Sequence, residues 1–406
     1  MKNSKQIYPW LLVGLLWVVA LLNYLDRQIL STMQNSIKID ITELQKAETF
    51  GQLMAVFLWV YAFAGPIAGY ISDKFNKKWI IISSLCVWSA ITFLMGFAQT
   101  FNQLYILRAL MGISEALYLP AALALIAELH EGKSRALAIG LHMTGLYVGQ
   151  ALGGFGATFA QMLSWHEAFM YLGLFGVGYS AILLIAIRNE NRSTNQTILE
   201  NQASQNIFKT IFSLIKTPAF LIILFYFCAI SMPSWASKNW LPTLFAQNLN
   251  LDMTQAGPIA TISLAMSSFF GVIVGGILSD KLVAKFSQGR VYVLASGLLL
   301  CAIGLIFMGF SNSAFLIITA CVCFGVGFGF LDSNNMPVLC QFVDNSRRAT
   351  AYGLMNTVGV SAGAVITIFF GRFADAGNLG ISFALLAVAM IIVLVIVLFG
   401  LRPTTK

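Results

Sequence analysis

Charged residues are scarce in this chain of 406 residues, since only 10% of its side chains are Asp, Glu, Lys or Arg. A soluble protein carries about 25%. The chain has three histidines. It shows no phosphate-binding glycine loop, no metal-ligand cluster, and no nucleophile with a base at a recognised spacing. These absences argue against an enzyme and against a bound metal or organic cofactor.

Long apolar runs fill the chain, which is 58% hydrophobic with a mean hydropathy of +0.80. A helix that crosses a bilayer needs about 20 mostly apolar residues. We therefore expect an all-α membrane protein with twelve transmembrane helices. The predicted spans lie at about residues 10–32, 51–72, 79–98, 103–127, 136–161, 167–187, 217–245, 255–279, 290–310, 314–341, 350–371 and 378–401.

The net charge of +8 would suggest a nucleic-acid partner in a soluble protein. Here most Lys and Arg residues lie in short loops on the face that carries both termini, whereas the opposite face holds only Lys38, Lys46 and Arg372. Positive residues collect on the cytoplasmic side of membrane proteins. The pattern therefore predicts a multi-pass protein of the cell membrane with both termini in the cytoplasm. We expect that membrane to be a bacterial inner membrane, and we expect no nucleic-acid partner.

One long polar stretch, residues 188–216, divides the spans into two groups of six. Three segments of the first group recur in order in the second: 69–74 at 276–281, 112–120 at 329–337, and 135–141 at 348–354. This repetition predicts two pseudo-symmetric six-helix bundles, residues 1–187 and 217–406, joined by a cytoplasmic linker at 188–216. Such parallel repeats place a substrate site between the bundles at mid-membrane.

The loop after the second run reads Gly69-x-x-x-Asp73-Lys74-x-Asn76-Lys77-Lys78. It is similar to the G-x-x-x-D-R-x-G-R-K signature of the major facilitator superfamily. Lys74 stands where Arg is usual, and Asn76 where Gly is usual. The chain resembles this superfamily along essentially its whole length, which implies a secondary transporter that works by alternating access. A monomer is expected.

Three further motifs resemble the anion:cation symporters: Asn23-Tyr24-x-Asp26-Arg27, Arg108-x-x-x-Gly112-x-x-Glu115-Ala116 and Trp240-Leu241-Pro242-Thr243. That family carries sugar acids and other organic anions, and its bacterial members use protons. The resemblance therefore implies an anionic small-molecule substrate and a proton gradient as the energy source. Spinster-like lipid transporters share a related first-helix motif and the Arg and Glu of the fourth helix, so they remain an alternative.

Charges inside apolar runs are costly and mark functional positions. With a rise of 1.5 Å per residue, Arg27 and Arg108 each lie roughly 9 Å below the outer boundary, level with Asp26. Glu115 lies two turns deeper on the face of Arg108. We expect Arg27 to contact the anion, Asp26 and Glu115 to carry protons, and Arg108 to be the switchable partner of Asp26. The alternative is a buried ion pair that only joins two helices.

Other polar residues are assigned by their position in the runs. Tyr24 and Tyr61 either line the cavity or anchor the helices at the interface. Asp332 precedes Pro337, which loosens its helix, and it is expected to line the cavity or the cytoplasmic gate. The further expected substrate contacts are Gln150, Asn334, Asn335 and Asn356, and the further expected gate residues are Asp73, paired with Lys77 or Lys78, and Asp280, paired with Lys281.

A histidine, a lysine and a group of glycines lie within the apolar runs. His142 is expected in the core, with the cavity as the alternative. Lys238 either attracts anions at the outer mouth or extends to the interface. Gly145, Gly149, Gly153 and Gly154 form a small-residue face that predicts close helix contact.

The sequence thus predicts a transporter that imports a small organic anion with protons. A spinster-like lysolipid exporter or a multidrug efflux carrier is the first alternative. A membrane sensor is the second, and the shortness of the loops and tails argues against it.

Overall fold

The computed structural model describes residues 2–130, 133–188, 207–344 and 347–402, and every regular element within these ranges is a helix. The first set comprises α1 (Lys2–Thr32), α2 (Gln34–Asp40), a 3-10 turn (Thr42–Leu44), α3 (Ala47–Lys74), α4 (Lys77–Met95), α5 (Phe101–Ala116), α6 (Tyr118–Leu129), α7 (Lys133–Gly153), α8 (Gly156–Met162) and α9 (Trp165–Ala186). The second set comprises α10 (Ile207–Ile215), α11 (Pro218–Leu249), α12 (Met253–Val283), α13 (Gly289–Phe310), α14 (Ala314–Phe342), α15 (Arg348–Asp375) and α16 (Leu379–Gly400).

Eleven helical stretches among the described residues are long and apolar enough to cross a membrane. Large apolar side chains such as Phe63, Ile185 and Phe399 are exposed on their outer faces. A protein surrounded by water rarely exposes so extensive an apolar surface, whereas lipid tails accommodate it. The fifth predicted span, 136–161, is not among the eleven, and it corresponds to α7 and α8.

Two predicted spans are interrupted in the structure. The fourth, 103–127, is divided at Leu117 into α5 and α6. Pro120 lies in the first turn of α6, where its missing N–H leaves no helical hydrogen bond unmade. The fifth is divided after Gly153. There a Cβ on Gly154 would lie 2.0 Å from Thr261 Oγ1, so glycine permits this close approach of the α7–α8 turn to α12.

The small-residue face of α7 makes the close contacts that the sequence predicts. A Cβ on Gly149 would lie 2.1 Å from the carbonyl oxygen of Leu21 on α1, and one on Gly145 would lie 2.6 Å from that of Trp17. No larger residue fits at these positions without moving the backbone of α1. Close packing of α1 against α7 therefore sets the direction in which the polar residues of α1 point.

We call distal the end of the molecule at which α1, α4, α11, α13 and α15 end, and proximal the end at which α3, α9, α12, α14 and α16 end. Near the distal end, Asp375 of α15 accepts hydrogen bonds from the backbone N–H groups of Ala47 (2.7 Å) and Glu48 (2.9 Å) at the start of α3. Arg372 Nε lies 2.7 Å from Glu48 Oε1. Gln34 also donates to Thr243 of α11. These bonds join the two sets and close the distal end.

Some polar side chains between the two sets are accessible to solvent, and we call the space that they face the cavity. Asp332 of α14 faces the first set, because its Oδ2 accepts a hydrogen bond from the Tyr147 hydroxyl of α7 at 3.4 Å. Asp332 is nevertheless exposed, and so is Tyr352 of α15. Since the distal end is closed, solvent reaches these side chains from the proximal side.

The predicted linker, residues 188–216, falls mostly outside the described residues. Its described part includes α10, which packs against α11 and α15. Arg347 Nη1 donates to Ser213 Oγ of α10 at 3.4 Å. The division into two bundles at 187 and 217 stays a prediction.

Candidate functional site

Arg27 and Glu115 form the central ion pair of the site. Arg27 Nε lies 2.6 Å from Glu115 Oε2, and Asn23 Nδ2 donates to the same oxygen at 3.0 Å. Glu115 is 1% exposed, whereas the side chain of Arg27 is 10% exposed. The guanidinium therefore stands between a buried carboxylate on one side and the cavity on the other.

Three aromatic rings hold the Arg27 guanidinium in place. Its Cζ lies 5.0 Å from the ring centroid of Tyr24, 4.9 Å from Phe57 and 4.7 Å from Tyr61. A cation over an aromatic face gains about 0.5 to 2 kcal/mol, and most when water is excluded. Tyr24 and Tyr61 thus pack against the guanidinium of Arg27, and Phe57 is a further neighbour that sequence reasoning did not name.

Arg108 lies against the same Phe57 ring, with its Cζ 4.6 Å from the centroid, and its Nη1 is 3.2 Å from Met111 Sδ. It is 3% exposed, and its Nε has no hydrogen-bond partner. Within the described ranges Arg108 has no ion pair shorter than 4.0 Å. The expected contact with Asp26 is therefore absent in this conformation.

Asp26 points toward α4 and not into the cavity. Its Oδ2 lies 3.4 Å from the hydroxyl of Thr92, its Oδ1 has no hydrogen-bond partner, and it is 4% exposed. The structure therefore brings Arg27, Glu115 and Arg108 together around Phe57, with Asp26 behind them. We expected four charges on one cavity wall, and only Arg27 reaches the cavity.

The second set contributes a charged group of its own. Asp332 is exposed to the cavity near Tyr147. Lys238 of α11 places its Nζ 4.6 Å from the ring of Trp235 and 5.6 Å from that of Tyr24. Lys238 therefore lies beside the first-set site, below the closed distal end. Neither sequence interpretation, outer mouth or interface, placed it there.

The asparagines of α14 do not both face the cavity. Asn334 is 1% exposed, its amide donates to Phe330 O at 2.9 Å, and its oxygen accepts from Ser279 at 2.5 Å. It joins α14 to α12, so its expected substrate contact is absent in this conformation. Asn335 is also buried. Its side-chain oxygen accepts a hydrogen bond from the Tyr226 hydroxyl at 2.9 Å, and its side chain is hydrogen-bonded to Asp332.

The remaining residues predicted from the sequence lie on α7 and α15. Gln150 is buried on α7, and Asn356 is partly buried on α15. Neither has a polar contact that assigns it to substrate. His142 is fully buried beside Tyr118, as expected for a core residue, although both ring nitrogens lack hydrogen-bond partners.

Two of the predicted proximal gate residues have ion pairs that the sequence did not predict. Lys77 Nζ lies 2.6 Å from Glu128 Oε1, and Arg290 Nη2 lies 3.9 Å from Asp280 Oδ1. The expected partner of Asp280 was Lys281. Both observed pairs lie within one set. Lys78 is buried, with its Nζ 5.6 Å from the ring of Trp79.

The side chain of Asp73 lies outside the described residues. At the distal end, one ion pair and two of the hydrogen bonds that join the sets use Glu48, Arg372 and Asp375, and sequence reasoning gave none of these three a role in a gate. Their signal was weak, because single charges at helix ends are common.

Eleven apolar helical stretches among the described residues, with a buried charge cluster between them, are typical of a membrane transporter. The chain belongs to the Major Facilitator Superfamily, whose family model matches residues 16–367. The family and the relatives that the chain resembles are transporters and not enzymes, which agrees with the sequence prediction.

Two relatives illustrate the range of similar proteins. The chain is 25% identical over 410 residues to the probable galactarate/D-glucarate transporter GarP of Escherichia coli (strain K12), covering 91% of this chain and 89% of that protein. It is 28% identical over 365 residues to the sphingosine-1-phosphate transporter SPNS2 of Xenopus tropicalis, covering 84% and 69%.

The fold matches that of a bacterial homologue of the human lysosomal transporter spinster, solved in an inward-facing and occupied conformation. The TM-score is 0.80 with 19% sequence identity, and the match covers 95% of each chain.

Proposed function

We propose that this protein is a secondary active transporter that carries a small organic anion, a sugar acid or another carboxylate, by proton-coupled alternating access. The observation that carries the proposal is the Arg27–Glu115 pair, in which a guanidinium at the cavity edge is neutralised by a buried carboxylate at 2.6 Å. The sugar-acid transporter among the relatives supports the substrate class.

In this mechanism a proton on Glu115 releases Arg27. One oxygen of Glu115, Oε1, has no hydrogen-bond partner although it is buried. A charged oxygen in that situation is poorly stabilised, so the site is suited to accept a proton. The released guanidinium then binds a substrate carboxylate with two parallel hydrogen bonds. Substrate and proton cross together, because an unneutralised charge in low dielectric is costly.

Asp26 and Arg108 form a second acid and guanidinium pair in this mechanism. Asp26 Oδ1 and Arg108 Nε are both buried without hydrogen-bond partners. We assign Asp26 as a further proton carrier, and Arg108 as the group that attracts its carboxylate when the helices move. No cofactor other than the proton gradient is required, and the functional unit is a monomer.

Alternating access requires that the two sets rock about the cavity. We assign twelve spans, with α7 and α8 together forming the fifth, and cytoplasmic termini in a bacterial inner membrane. The closed distal end is then the outer side, and the conformation described here is inward-facing. Release of the bonds at Asp375 and Arg372 opens the distal end, while charge pairs at the proximal end close the inner side.

The test is uptake of labelled carboxylates into proteoliposomes, with and without an inward proton gradient. Glu115→Gln is expected to abolish gradient-driven accumulation and to leave counterflow exchange measurable. Glu43→Gln, which changes an exposed acid of the 3-10 turn, serves as the matched control. Unchanged accumulation by Glu115→Gln would contradict the assignment of Glu115.

A second candidate, export of a lysolipid or another amphipathic compound, rests on a different observation. An apolar groove of about 430 Å³ runs along α3 beside α5, lined by Trp59, Phe63, Ile67 and Ile113 among others. The spinster-type relative supports the same alternative. Proton-driven movement of a fluorescent lysophospholipid, with no transport of any carboxylate, would favour this candidate over the first.

A further inference from the structure

The short helix α10 has one face against the protein and one face that is both apolar and basic. It packs against α11 and α15, and its Thr210 and Leu214 are buried. Phe212 is 61% exposed, and Ile215 and Lys216 are exposed too. With about 100° of rotation per residue, Phe212 points away from the buried pair, and Ile215 and Lys216 lie on either side of it. Two large apolar side chains and one lysine therefore face outward together.

The end of α10 lies at the proximal boundary of the membrane. The chain takes three residue steps from Ile215 to Pro218, where the membrane-crossing α11 begins, and three steps span at most about 11 Å. On its other side α10 contacts Arg347, which directly precedes the membrane-crossing α15. The headgroup layer on each side of a bilayer is about 5 to 8 Å thick. The outward face of α10 therefore lies at the level of the lipid headgroups.

Two cations stand beside each other at this end of α10. Lys216 places its Nζ 4.2 Å from the ring centroid of Phe212. Arg347 donates from Nη1 to Ser213 Oγ at 3.4 Å. Ser213 and Lys216 are three positions apart and are therefore neighbours on the helix surface. In the described part of the chain, neither cation has an ion pair shorter than 4.0 Å. Their charges are therefore available to an anion from outside the protein.

A phospholipid fits this face better than a soluble anion does. A soluble anion would neutralise the cations and leave Phe212 and Ile215 in water, whereas a lipid provides both a phosphate and acyl chains. The exposed apolar side chains also continue along the chain into α11 at Leu221 and Phe225, which belong to the surface that lipid covers. Interfacial helices of this composition place their basic residues among anionic headgroups and their apolar residues below them.

We propose that Lys216 and Arg347 bind the phosphate of an anionic phospholipid, and that Phe212 and Ile215 pack against its acyl chains. The ammonium and the guanidinium each donate charge-assisted hydrogen bonds to phosphate oxygens. A zwitterionic headgroup brings a cation of its own, which Lys216 and Arg347 repel, so the site favours anionic lipids. The site depends neither on the substrate nor on the proton coupling proposed above.

The test is native mass spectrometry of the full chain in detergent, titrated with phosphatidylglycerol or with phosphatidylcholine of the same acyl chains. The first phosphatidylglycerol should bind about tenfold or more tighter than phosphatidylcholine. Lys216→Gln and Arg347→Gln should each weaken phosphatidylglycerol binding about fivefold and leave phosphatidylcholine binding unchanged. Lys216→Arg keeps the charge and should bind like the wild type, whereas Phe212→Ser should weaken both lipids. Lys285→Gln, which changes an exposed lysine between α12 and α13, is the control.

Photo-crosslinking provides a second readout in proteoliposomes. A benzophenone amino acid in place of Phe212 should form adducts with lipid, and one in place of Lys285 should form none. The proposal is overturned if wild-type protein binds the two lipids equally, or if neither glutamine variant changes binding. Binding of glycerol phosphate as tight as that of phosphatidylglycerol would assign the cations to a soluble anion and overturn it too. A dimer that Phe212→Ser dissociates without a change in lipid binding would assign the face to a second copy instead.

Discussion

Glu115 and Asp332 occupy matching positions in the repeated segments 112–120 and 329–337, yet their surroundings are opposite. Glu115 is 1% exposed and lies 2.6 Å from Arg27. Asp332 is exposed and has no ion pair shorter than 4.0 Å among the described residues. The same place in the repeat therefore carries a buried, neutralised acid in one set and an open acid in the other.

The neighbouring helices account for this difference. Glu115 receives both Arg27 and Asn23 from α1, and the close packing of α1 on α7 brings α1 to that position. Asp332 receives the Tyr147 hydroxyl across the cavity, and Lys238 of α11 stays farther away. A buried pair holds its members tightly because an unpaired buried charge is costly. An acid in contact with solvent remains free to respond to substrate.

The largest effect is expected at Arg27. Arg27→Gln should lower the initial rate of carboxylate uptake about 100-fold or more, because two charge-assisted hydrogen bonds of about 1.5 to 3 kcal/mol each are lost. Asp332→Asn should leave carboxylate uptake within about threefold of the wild type, since less than about 1 kcal/mol is at stake there. Equal losses in the two variants would remove the distinction between the sites.

A stability measurement separates the two acids more directly. Glu115→Ala leaves the Arg27 guanidinium without its partner, and it should lower the free energy of unfolding by about 3 to 5 kcal/mol. Asp332→Ala removes an exposed acid and should cost less than about 1 kcal/mol. Denaturant unfolding in detergent provides both values. Similar losses would mean that Asp332 is as firmly paired as Glu115.

The aromatic support of the first-set site is expected to have an intermediate effect. Phe57→Leu removes a ring that contacts both Arg27 and Arg108, at about 0.5 to 2 kcal/mol for each contact. Apparent substrate affinity should fall about tenfold. Phe63→Leu changes an exposed ring of the same helix and serves as the control. If both variants behave alike, Phe57 acts only through helix packing.

The smallest effect concerns access to the two acids. Carboxyl footprinting read by mass spectrometry should label Asp332 and leave Glu115 unlabelled in the wild-type protein. Asp375→Asn weakens the bonds that close the distal end, at about 1 kcal/mol. It should therefore lower Asp332 labelling a few-fold, because the molecule spends less time open at the proximal end. Asp280→Asn, which alters a pair within one set, should have no such effect.

Part of the site could be predicted from position along the chain. Arg27, Arg108 and Glu115 were expected to lie close together because their depths in the membrane follow from the helical rise, and they do. Which carboxylate meets which guanidinium depends on the rotation of each helix about its axis. That rotation follows from packing, so Arg27 pairs with Glu115 while Asp26 faces Thr92.

Contacts between distant segments were the least predictable. Lys238 lies 5.6 Å from the ring of Tyr24, and Asp375 bonds to the backbone of Ala47, across more than two hundred positions of sequence in each case. Nothing in the local pattern around Lys238 separates a cavity lysine from one that reaches the interface. The local pattern around Asn334 is equally uninformative. Asn334 was expected to face substrate, whereas it joins α14 to α12 through its hydrogen bond with Ser279.

Composition and periodicity by themselves determined that the chain is helical and apolar enough to span a membrane many times, because such a bilayer segment must satisfy its own backbone hydrogen bonds. They also identified the few charges that lipid cannot accommodate. Only the packing of the helices decided which charges are paired, which face the cavity and which end is closed. Those outcomes depend on side chains that are far apart in sequence and meet only after the helices have taken their final rotation and tilt.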